Sequence, residues 1–350
     1  MFNTTHNNKS LIMKIFTIGT SIIVSAAFLT ACGLFPNSKN QLVLYNGQHL
    51  QTTQALVNKF EQITGISVII RNGDEDTLVN QIEQEGSQSP ADLIFTENSP
   101  ALVQLSDQKV LYGLPKSIYN NSNSKFDPAN KQWIAVTLRY SEMVYNTKLI
   151  HSNQLPNSIL SLADKRFYNK IGLAPTETDF QPILTSLIKA YGYSAALKWL
   201  LGVKHNAGNH IYPDNESLTS AVNSGQVTLA VINQYYWYRL RSQIGKKAMN
   251  STLKPFRAKN PGNVVDVSGI GILRSSSHKT LALEFIKFVA SKVGQNIIEA
   301  SDSYEYPANV RATANSQLPN FKSYHPYPIS IEELGNGSAA VRLLKQAQLI

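Results

Sequence analysis

The sequence predicts an α/β protein of two lobes, and three observations carry this prediction. The chain has 350 residues, a length that favours one large α/β unit or two lobes. With 43% hydrophobic and 16% charged residues, it can bury a core and is neither disordered nor a coiled coil. Strand patterns alternate with amphipathic helix patterns in two successive sets, which predicts mostly parallel strands with helices on both faces.

The first 31 residues have the pattern of a secretory signal. Residues 15–29 are uncharged and follow Lys9 and Lys14, like the h-region and n-region of such a signal. They end in Leu-Thr-Ala-Cys at 29–32, which resembles the bacterial lipobox and implies cleavage and lipid attachment at Cys32. An uncleaved anchor helix remains the alternative, because the stretch stays uncharged through Phe35 and could just span a bilayer.

Either processing outcome predicts a folded part outside the cytoplasm, tethered to the extracytoplasmic face of the cell membrane. Residues 32–40 are expected to form the tether, because they are largely polar and contain chain-breaking residues. Cys32 is the only cysteine. If it carries the lipid, no thiol remains for a disulfide or a thiolate metal site.

The first set of elements begins near residue 41. Strands are predicted at 41–45, 66–71 and 92–96, where short apolar runs are bounded by turn residues. Amphipathic helices are predicted at 52–64, closed by Gly65, and at 78–85, and a short helix is predicted at 101–106. The opening strand, helix and strand form a βαβ unit.

The second set occupies the middle of the chain. It comprises a short apolar run at 171–174, predicted helices at 180–191 and 195–201, and a predicted buried strand at 227–232 with its own sheet. The β-rich segments 135–145 and 264–273 are expected to cross between the lobes. We therefore assign residues 41–138 and 266–316 to lobe 1, and residues 139–265 and 317–350 to lobe 2.

Composition and motifs disfavour several classes of function. The net charge of +9 comes without a basic run interleaved with aromatic residues, so nucleic-acid binding has no specific support. The sequence contains no GxSxG, HExxH or P-loop motif, so it predicts no enzyme active site. A lipid-anchored hydrolase is kept as the alternative from another class.

The candidate binding residues follow predicted strands, because ligands of such sheets bind beyond the carboxyl ends of strands. His49 follows the first strand, where Gly47 permits a tight turn, and Glu97 follows the strand at 92–96. Tyr235 and Tyr236 follow the strand at 227–232. Each has an ordinary structural explanation when taken alone. Neighbouring helical residues point about 100° apart, so we expect one of the two tyrosines to face the crevice.

Two phenolates, one carboxylate and one imidazole suit a hard trivalent cation. Phenolate and carboxylate oxygens prefer hard metals, and imidazole and tyrosinate both ligate iron. The three anionic groups would cancel the charge of Fe³⁺ and leave positions open for water or an anion. Because phenols have an ordinary pKa of about 10, binding must expel two phenolic protons, and affinity should fall with increasing acidity.

Three motifs, in this order, resemble the ferric-ion-binding solute receptors of bacterial ABC importers. They are YNGQH at 45–49, PADLIFTEN at 90–98 and INQYYWY at 232–238. The resemblance, which runs from about residue 42 to the C-terminus, implies the periplasmic-binding-protein type II fold, with two lobes of mixed sheets joined by crossing strands. It implies Fe³⁺ ligation by His49 and Glu97 from one lobe, and by Tyr235 and Tyr236 from the other. It further implies a monomeric receptor that delivers iron to a permease and its ATPase.

The family often completes the metal shell with an anion such as phosphate or carbonate. The resemblance implies that Asn215 and Asn233 hold this anion, and Arg139 is expected to face the cleft. The family's Ser-Gly pair is replaced by PTETDF at 175–180, so Glu177 or Asp179 either supplies an oxygen ligand or caps the helix. The runner-up function is a receptor for a small organic or phosphorus-containing anion.

Overall fold

A computed structural model describes residues 40–350 of the protein. The predicted signal, Cys32 and all but the last residue of the predicted tether lie outside the described residues. Within residues 40–350, no helix is both long and apolar enough to cross a membrane.

The strands of the described part form one mixed sheet. Its members are β1 (Gln41–Asn46), β2 (Ser67–Asn72), β3 (Leu93–Thr96), β4 (Trp133–Asn146), β5 (Leu229–Asn233), β6 (Ser251–Lys254), β7 (Val265–Ile272) and β8 (Tyr306–Pro307). The order is β2-β1-β3-β7-β4-β5, and β6 and β8 also pair with β4. Only β1 pairs in parallel, with β2 and β3, whereas the pairs made by β4 and β7 are antiparallel. The sheet is therefore less parallel than predicted, because β7 runs back between β3 and β4.

Helices pack around this sheet, and short 3₁₀ turns occur in the connections. Those of the described part are α1 (Leu50–Thr64), α2 (Glu75–Glu85), α3 (Ser99–Asp107), α4 (Phe180–Tyr191), α5 (Tyr193–Ala207), α6 (Asn215–Ser224), α7 (Gln234–Ile244), α8 (Lys279–Ala290), α9 (Lys292–Glu299), α10 (Ile331–Leu334) and α11 (Ser338–Gln346). Gly65 ends α1 in the left-handed conformation, with φ at 69°. The apolar run at 171–174 forms only isolated bridges, to Leu229 and Ile211.

Two long buried strands form the centre of the sheet. All residues of β4 and β7 are buried. The first half of β4 pairs with β7 and the second half with β5 and β6, so β4 connects two groups of strands. The lobe boundaries predicted at 138 and 266 fall inside β4 and β7, and the division itself stays a prediction. This pairing places Arg139 of β4 directly opposite Asp266 of β7.

A glycine in β7 allows α3 to pack closely on the sheet. A Cβ on Gly269 would lie 2.6 Å from the Trp133 ring and 2.7 Å from Leu102 of α3, closer than carbon atoms pack. Gly269 also pairs with Thr96, the last residue of β3. This contact therefore helps to set the position of the chain that leaves β3, where Glu97 follows.

We predict that Gly269→Ala destabilises the protein by about 1–3 kcal/mol, because the added methyl overpacks a filled region. The free energy of unfolding in urea measures this change. Gly113→Ala is the control, because nothing lies within 4 Å of a Cβ at that position, and it should change stability by less than about 0.5 kcal/mol. Equal effects of the two substitutions would contradict the packing argument.

Candidate metal centre

His49 and Glu97 meet where β1 and β3 end. His49 immediately precedes α1, and its Nε2 lies 3.4 Å from Oε1 of Glu97. Gly47 belongs to the turn between β1 and His49, and its φ is not positive. A Cβ at Gly47 would lie 3.0 Å from the Cβ of Glu75. The glycine is therefore needed for close approach to Glu75 rather than for a left-handed turn.

Glu75 holds the backbone that carries Glu97. Its Oε2 accepts the backbone N–H groups of Glu97 and Asn98, each at 3.0 Å, and its Oε1 accepts the Asn98 side-chain amide at 3.0 Å. Burial raises the pKa of Glu75 to about 8, although the hydrogen bonds from Asn98 act in the opposite direction. Glu75 is therefore a supporting residue that the motif analysis did not select.

Both tyrosines face the site from the first turn of α7. Their ring centroids are 3.9 Å apart, with an interplanar angle of 31°. The Tyr235 hydroxyl donates to Oε1 of Glu97 at 2.7 Å, and the Tyr236 hydroxyl donates to Oδ2 of Asp179 at 3.0 Å. The helical geometry led us to expect one tyrosine at the crevice, and both line it, because both side chains lean toward the N-terminal end of α7, where the site lies.

Asp179 is the second carboxylate that contacts the tyrosines. It immediately precedes α4 without capping that helix through its side chain, and it is only 4% exposed. Glu177 has a different position, since its Oε1 accepts the backbone N–H of Asn215 at 3.2 Å. The two acidic residues of the PTETDF segment therefore have different partners. Asp179 contacts the phenol oxygens, and Glu177 accepts a hydrogen bond at the N-terminus of α6.

Arg139 is fully buried among three carboxylates. Its guanidinium nitrogens lie 3.2 Å from Glu305, 3.4 Å from Asp179 and 3.9 Å from Glu97. It also donates a hydrogen bond to the side-chain oxygen of Asn98. The positive charge of Arg139 is therefore already shared among protein groups.

Asn215 and Asn233 lie beside Asp179 around a small cavity. Its volume is about 20 Å³, which is enough for about one water molecule. Neither polar side-chain atom of Asn233 has a hydrogen-bond partner among the described residues. The same is true of both carboxylate oxygens of the buried Asp266, which does not line this cavity.

Burial and mutual charge shift the protonation of the site. Burial, together with Asp179 and Glu97, raises the pKa of Tyr235 and Tyr236 well above the ordinary value of a phenol. Burial alone would lower the pKa of His49, but the Glu97 and Glu305 carboxylates outweigh it and raise the pKa. Burial opposes ionisation of Glu305, yet His49 and Arg139 hold its pKa at about 2. Without a metal, protons therefore occupy the phenols and are favoured on the imidazole.

The donor atoms are spaced like ligands of a small octahedral cation. His49 Nε2 lies 3.4 Å from Glu97 Oε1, and Glu97 Oε1 lies 2.7 Å from the Tyr235 hydroxyl. The Tyr235 hydroxyl in turn lies 3.4 Å from Asp179 Oδ2. Neighbouring ligands at about 2.0–2.1 Å from an octahedral ion lie about 3 Å apart. Within residues 40–350, His, Cys, Asp and Glu alone form no three-ligand metal group.

Comparisons with known proteins give a consistent result. A family model described as bacterial extracellular solute-binding protein matches residues 46–296. The Fe(3+)-binding periplasmic protein of Serratia marcescens is 34% identical over 97% of this chain and 99% of its own length. The major ferric iron-binding protein of Neisseria meningitidis serogroup B is 35% identical, covering 87% of this chain and 92% of that protein. Iron-bound HitA from Pseudomonas aeruginosa matches with a TM-score of 0.83 and 36% identity, over 88% of this chain and 99% of HitA.

These matches establish both the fold of the chain and the family to which it belongs. The fold shared with HitA across most of both chains is the periplasmic-binding-protein type II fold. The relatives named above are binding proteins rather than enzymes. Because the family model covers 251 residues of the 350-residue chain, the chain belongs to the bacterial extracellular solute-binding protein family.

Proposed function

We propose that this protein binds Fe³⁺ outside the cytoplasm and delivers it to an ABC-type permease and its ATPase for iron import. The observation that carries the proposal is the convergence of His49, Glu97, Tyr235 and Tyr236 at one largely buried site. His49 Nε2 lies 3.4 Å and the Tyr235 hydroxyl 2.7 Å from Oε1 of Glu97, and Asp179 Oδ2 lies 3.4 and 3.0 Å from the Tyr235 and Tyr236 hydroxyls. The ferric-iron-binding relatives of Serratia and Neisseria support the same cargo.

Binding is an exchange of protons for the metal. The Tyr235 hydroxyl donates to Glu97, and His49 faces Glu97 and Glu305. Fe³⁺ takes the place of these protons, so the phenol oxygens and the imidazole nitrogen change from donors to ligands. Acid reverses the exchange, which gives the receptor a route to release its cargo.

We also propose that binding couples to closure of the two lobes predicted from the sequence. On that division, His49 and Glu97 belong to lobe 1, and Tyr235 and Tyr236 belong to lobe 2. The hydrogen bond from Tyr235 to Glu97 crosses between them. A cation that contacts both lobes binds the closed arrangement better than the open one and thereby selects it.

The cleft that leads to the site favours a cation over the organic or phosphorus-containing anion of the runner-up function. It has a volume of about 820 Å³ and is lined by seven acidic side chains, His49 and one arginine, Arg239. Burial raises the pKa of two of the seven, Glu75 and Glu177, to about 8, so the other acidic groups supply most of the negative charge. The carboxylates belong to Asp74, Glu75, Asp76, Glu97, Glu177, Asp214 and Glu216. Such a surface attracts cations and repels anions. No observation favours the lipid-anchored hydrolase.

We predict that the Tyr235→Phe/Tyr236→Phe double variant loses the visible phenolate-to-iron band and binds Fe³⁺ more than about 100-fold more weakly. Loss of groups that only support ligands already costs 10–100-fold in metal affinity. Absorbance titration of the purified chain with Fe³⁺ measures both effects. Tyr238→Phe is the control, because Tyr238 lies in the same helix and packs on Trp237 and Tyr304. A folded double variant that keeps the band would refute the ligand assignment.

We predict that the affinity for Fe³⁺ falls steeply with acidity. The pKa values of both phenols and of His49 are raised, so these groups hold more protons at low pH and the metal must displace them. Two phenolic protons give a loss of roughly 100-fold per pH unit, and His49 adds a third proton below its own pKa. Competition with a chelator, corrected for the chelator's protonation, measures this slope between about pH 6 and 8. An affinity independent of pH would exclude phenolate ligation.

We predict that Cys32 carries a lipid that anchors the protein to the membrane. Growth with an alkyne-labelled fatty acid should label the wild-type chain and leave Cys32→Ser unlabelled, because the chain has no other cysteine. Cys32→Ala serves as a second variant that excludes effects of the serine hydroxyl. Equal labelling of wild type and variants, or an N-terminus that retains residues 1–31 in the wild type, would contradict lipoprotein processing.

A further inference from the structure

The carboxylate of Glu305 faces the edge of the His49 ring that points away from the candidate ligands. His49 Nε2 lies 3.4 Å from Oε1 of Glu97, whereas His49 Nδ1 lies 3.6 Å from Oε2 of Glu305. Both His49 Nδ1 and Glu305 Oε2 are buried, and neither has a hydrogen-bond partner within residues 40–350. Buried polar atoms are seldom left without a partner, so each of these two atoms is the natural partner of the other.

The second oxygen of Glu305 is fixed by the surrounding protein. Its Oε1 accepts from the Thr137 hydroxyl at 2.9 Å and from the Arg139 guanidinium at 3.2 Å, both on the buried strand β4. The Gln48 side-chain amide lies 3.4 Å from the same oxygen, and Oε1 of Gln48 accepts the backbone N–H of His49 at 2.7 Å. One oxygen of the carboxylate is therefore held by the framework, and the other is left for the imidazole.

The backbone immediately before Glu305 is strained. Tyr304 has a φ of 51°, in the left-handed region that bulky residues rarely adopt. Its carbonyl oxygen accepts from the side-chain amide of Gln234 at 3.0 Å, and its ring packs on Tyr238 of α7 with the centroids 5.9 Å apart. Strain of this kind persists only where the surrounding contacts impose it, and it is concentrated at functional sites. These contacts hold the segment against α7 with the Glu305 carboxylate at the site.

We propose that Glu305 is a positioning residue that accepts a hydrogen bond from His49 Nδ1 when iron is bound and thereby directs the lone pair of Nε2 to the metal. This inference rests on the proposed function of the same site. The present 3.6 Å separation then shortens to that of a hydrogen bond, about 3 Å. A neutral imidazole that carries its proton on Nδ1 leaves Nε2 free to bind a metal, whereas the other tautomer does not. Glu305 itself does not contact the metal.

A purely structural role, in which Glu305 only balances the charge of Arg139, predicts a different result in a double-mutant cycle. The affinity of the purified full chain for Fe³⁺ is measured by competition with a chelator for the wild type, Glu305→Gln, His49→Ala and the double variant. Glu305→Gln should bind Fe³⁺ about 10–100-fold more weakly than the wild type. In the His49→Ala background, the same substitution should change the affinity by less than about threefold, because the ring that Glu305 positions is gone.

Two further variants separate the hydrogen bond from the charge. Glu305→Asp keeps the negative charge near Arg139 but draws the carboxylate back from His49 by one carbon, so its affinity for Fe³⁺ should fall at least about 10-fold. It also carries the cycle if Glu305→Gln does not fold. Glu142→Gln is the matched control and should bind Fe³⁺ like the wild type. Glu142 is likewise a buried carboxylate, but its hydrogen bond comes from Tyr324, which is not a candidate ligand.

A second measurement observes the imidazole directly and does not depend on affinity. The chain is labelled with ¹⁵N-histidine and loaded with Ga³⁺, a diamagnetic trivalent ion, for NMR. The wild type should show a slowly exchanging proton on Nδ1 of His49, identified by its absence from His49→Ala. Glu305→Gln should lose this signal, and Glu142→Gln should keep it.

Three results would overturn the inference. The first is an equal loss of affinity from the Glu305 substitution with and without the His49 ring. The second is a folded Glu305→Asp variant with the affinity of the wild type. The third is a loaded wild type whose His49 carries its proton on Nε2. A wild type that binds no Fe³⁺ would instead refute the proposed function itself, and the inference with it.

Discussion

A shortage of positive charge among buried carboxylates is the constraint on which this site depends. Arg139 is buried with Glu97, Asp179 and Glu305 at 3.2–3.9 Å, so one guanidinium faces three acidic groups. Buried carboxylates are costly unless protons, hydrogen bonds or cations compensate them. In the metal-free protein, the tyrosine hydroxyls donate hydrogen bonds to Glu97 and Asp179 and provide part of this compensation. A multivalent cation provides it more fully, and the same imbalance that requires protons therefore attracts the metal.

The positive charge of Arg139 and the candidate metal ligands lie on different parts of the fold. Arg139 lies on β4, a strand buried along its whole length, whereas the candidate ligands lie at or just before the first turns of helices. Hydrogen bonds from neighbouring side chains hold those turns in place. Glu75 fixes the backbone of Glu97, and the Asn98 side chain joins Glu75, Asp179 and Arg139. These hydrogen bonds hold the Glu97 backbone and the Asp179 carboxylate in place, and such support makes binding geometry accurate.

Local patterns in the sequence predicted several helices and strands and the end of the sheet where the site lies, but not which side chains of the site contact each other. The bounds of α4 and the end of α1 at Gly65 follow from periodicity and turn residues, which act over a few positions. The close contact between the Tyr235 and Tyr236 rings depends on side-chain direction in a first helical turn. The choice of Asp179 over Glu177 as the partner of the tyrosines depends on where the first turn of α7 lies relative to the start of α4. Glu305 gave no local signal, because its role comes from Arg139 and His49, more than 160 positions away in the chain.

The raised pKa values of the phenols also bear on which ion the site retains. Each unit by which the pKa of a phenol rises adds about 1.4 kcal/mol to the cost of removing its proton. An ion must recover this cost through its attraction to the phenolates. A trivalent ion does so more readily than a divalent one at the same distance, because Coulomb energy scales with charge. A divalent ion would also leave the phenolates and carboxylates with a larger uncompensated negative charge. Burial of Tyr235 and Tyr236 adds the same deprotonation cost for every metal, whereas the attraction to the phenolates grows with the charge of the ion, so at the proposed site it is this attraction that favours Fe³⁺ over Fe²⁺.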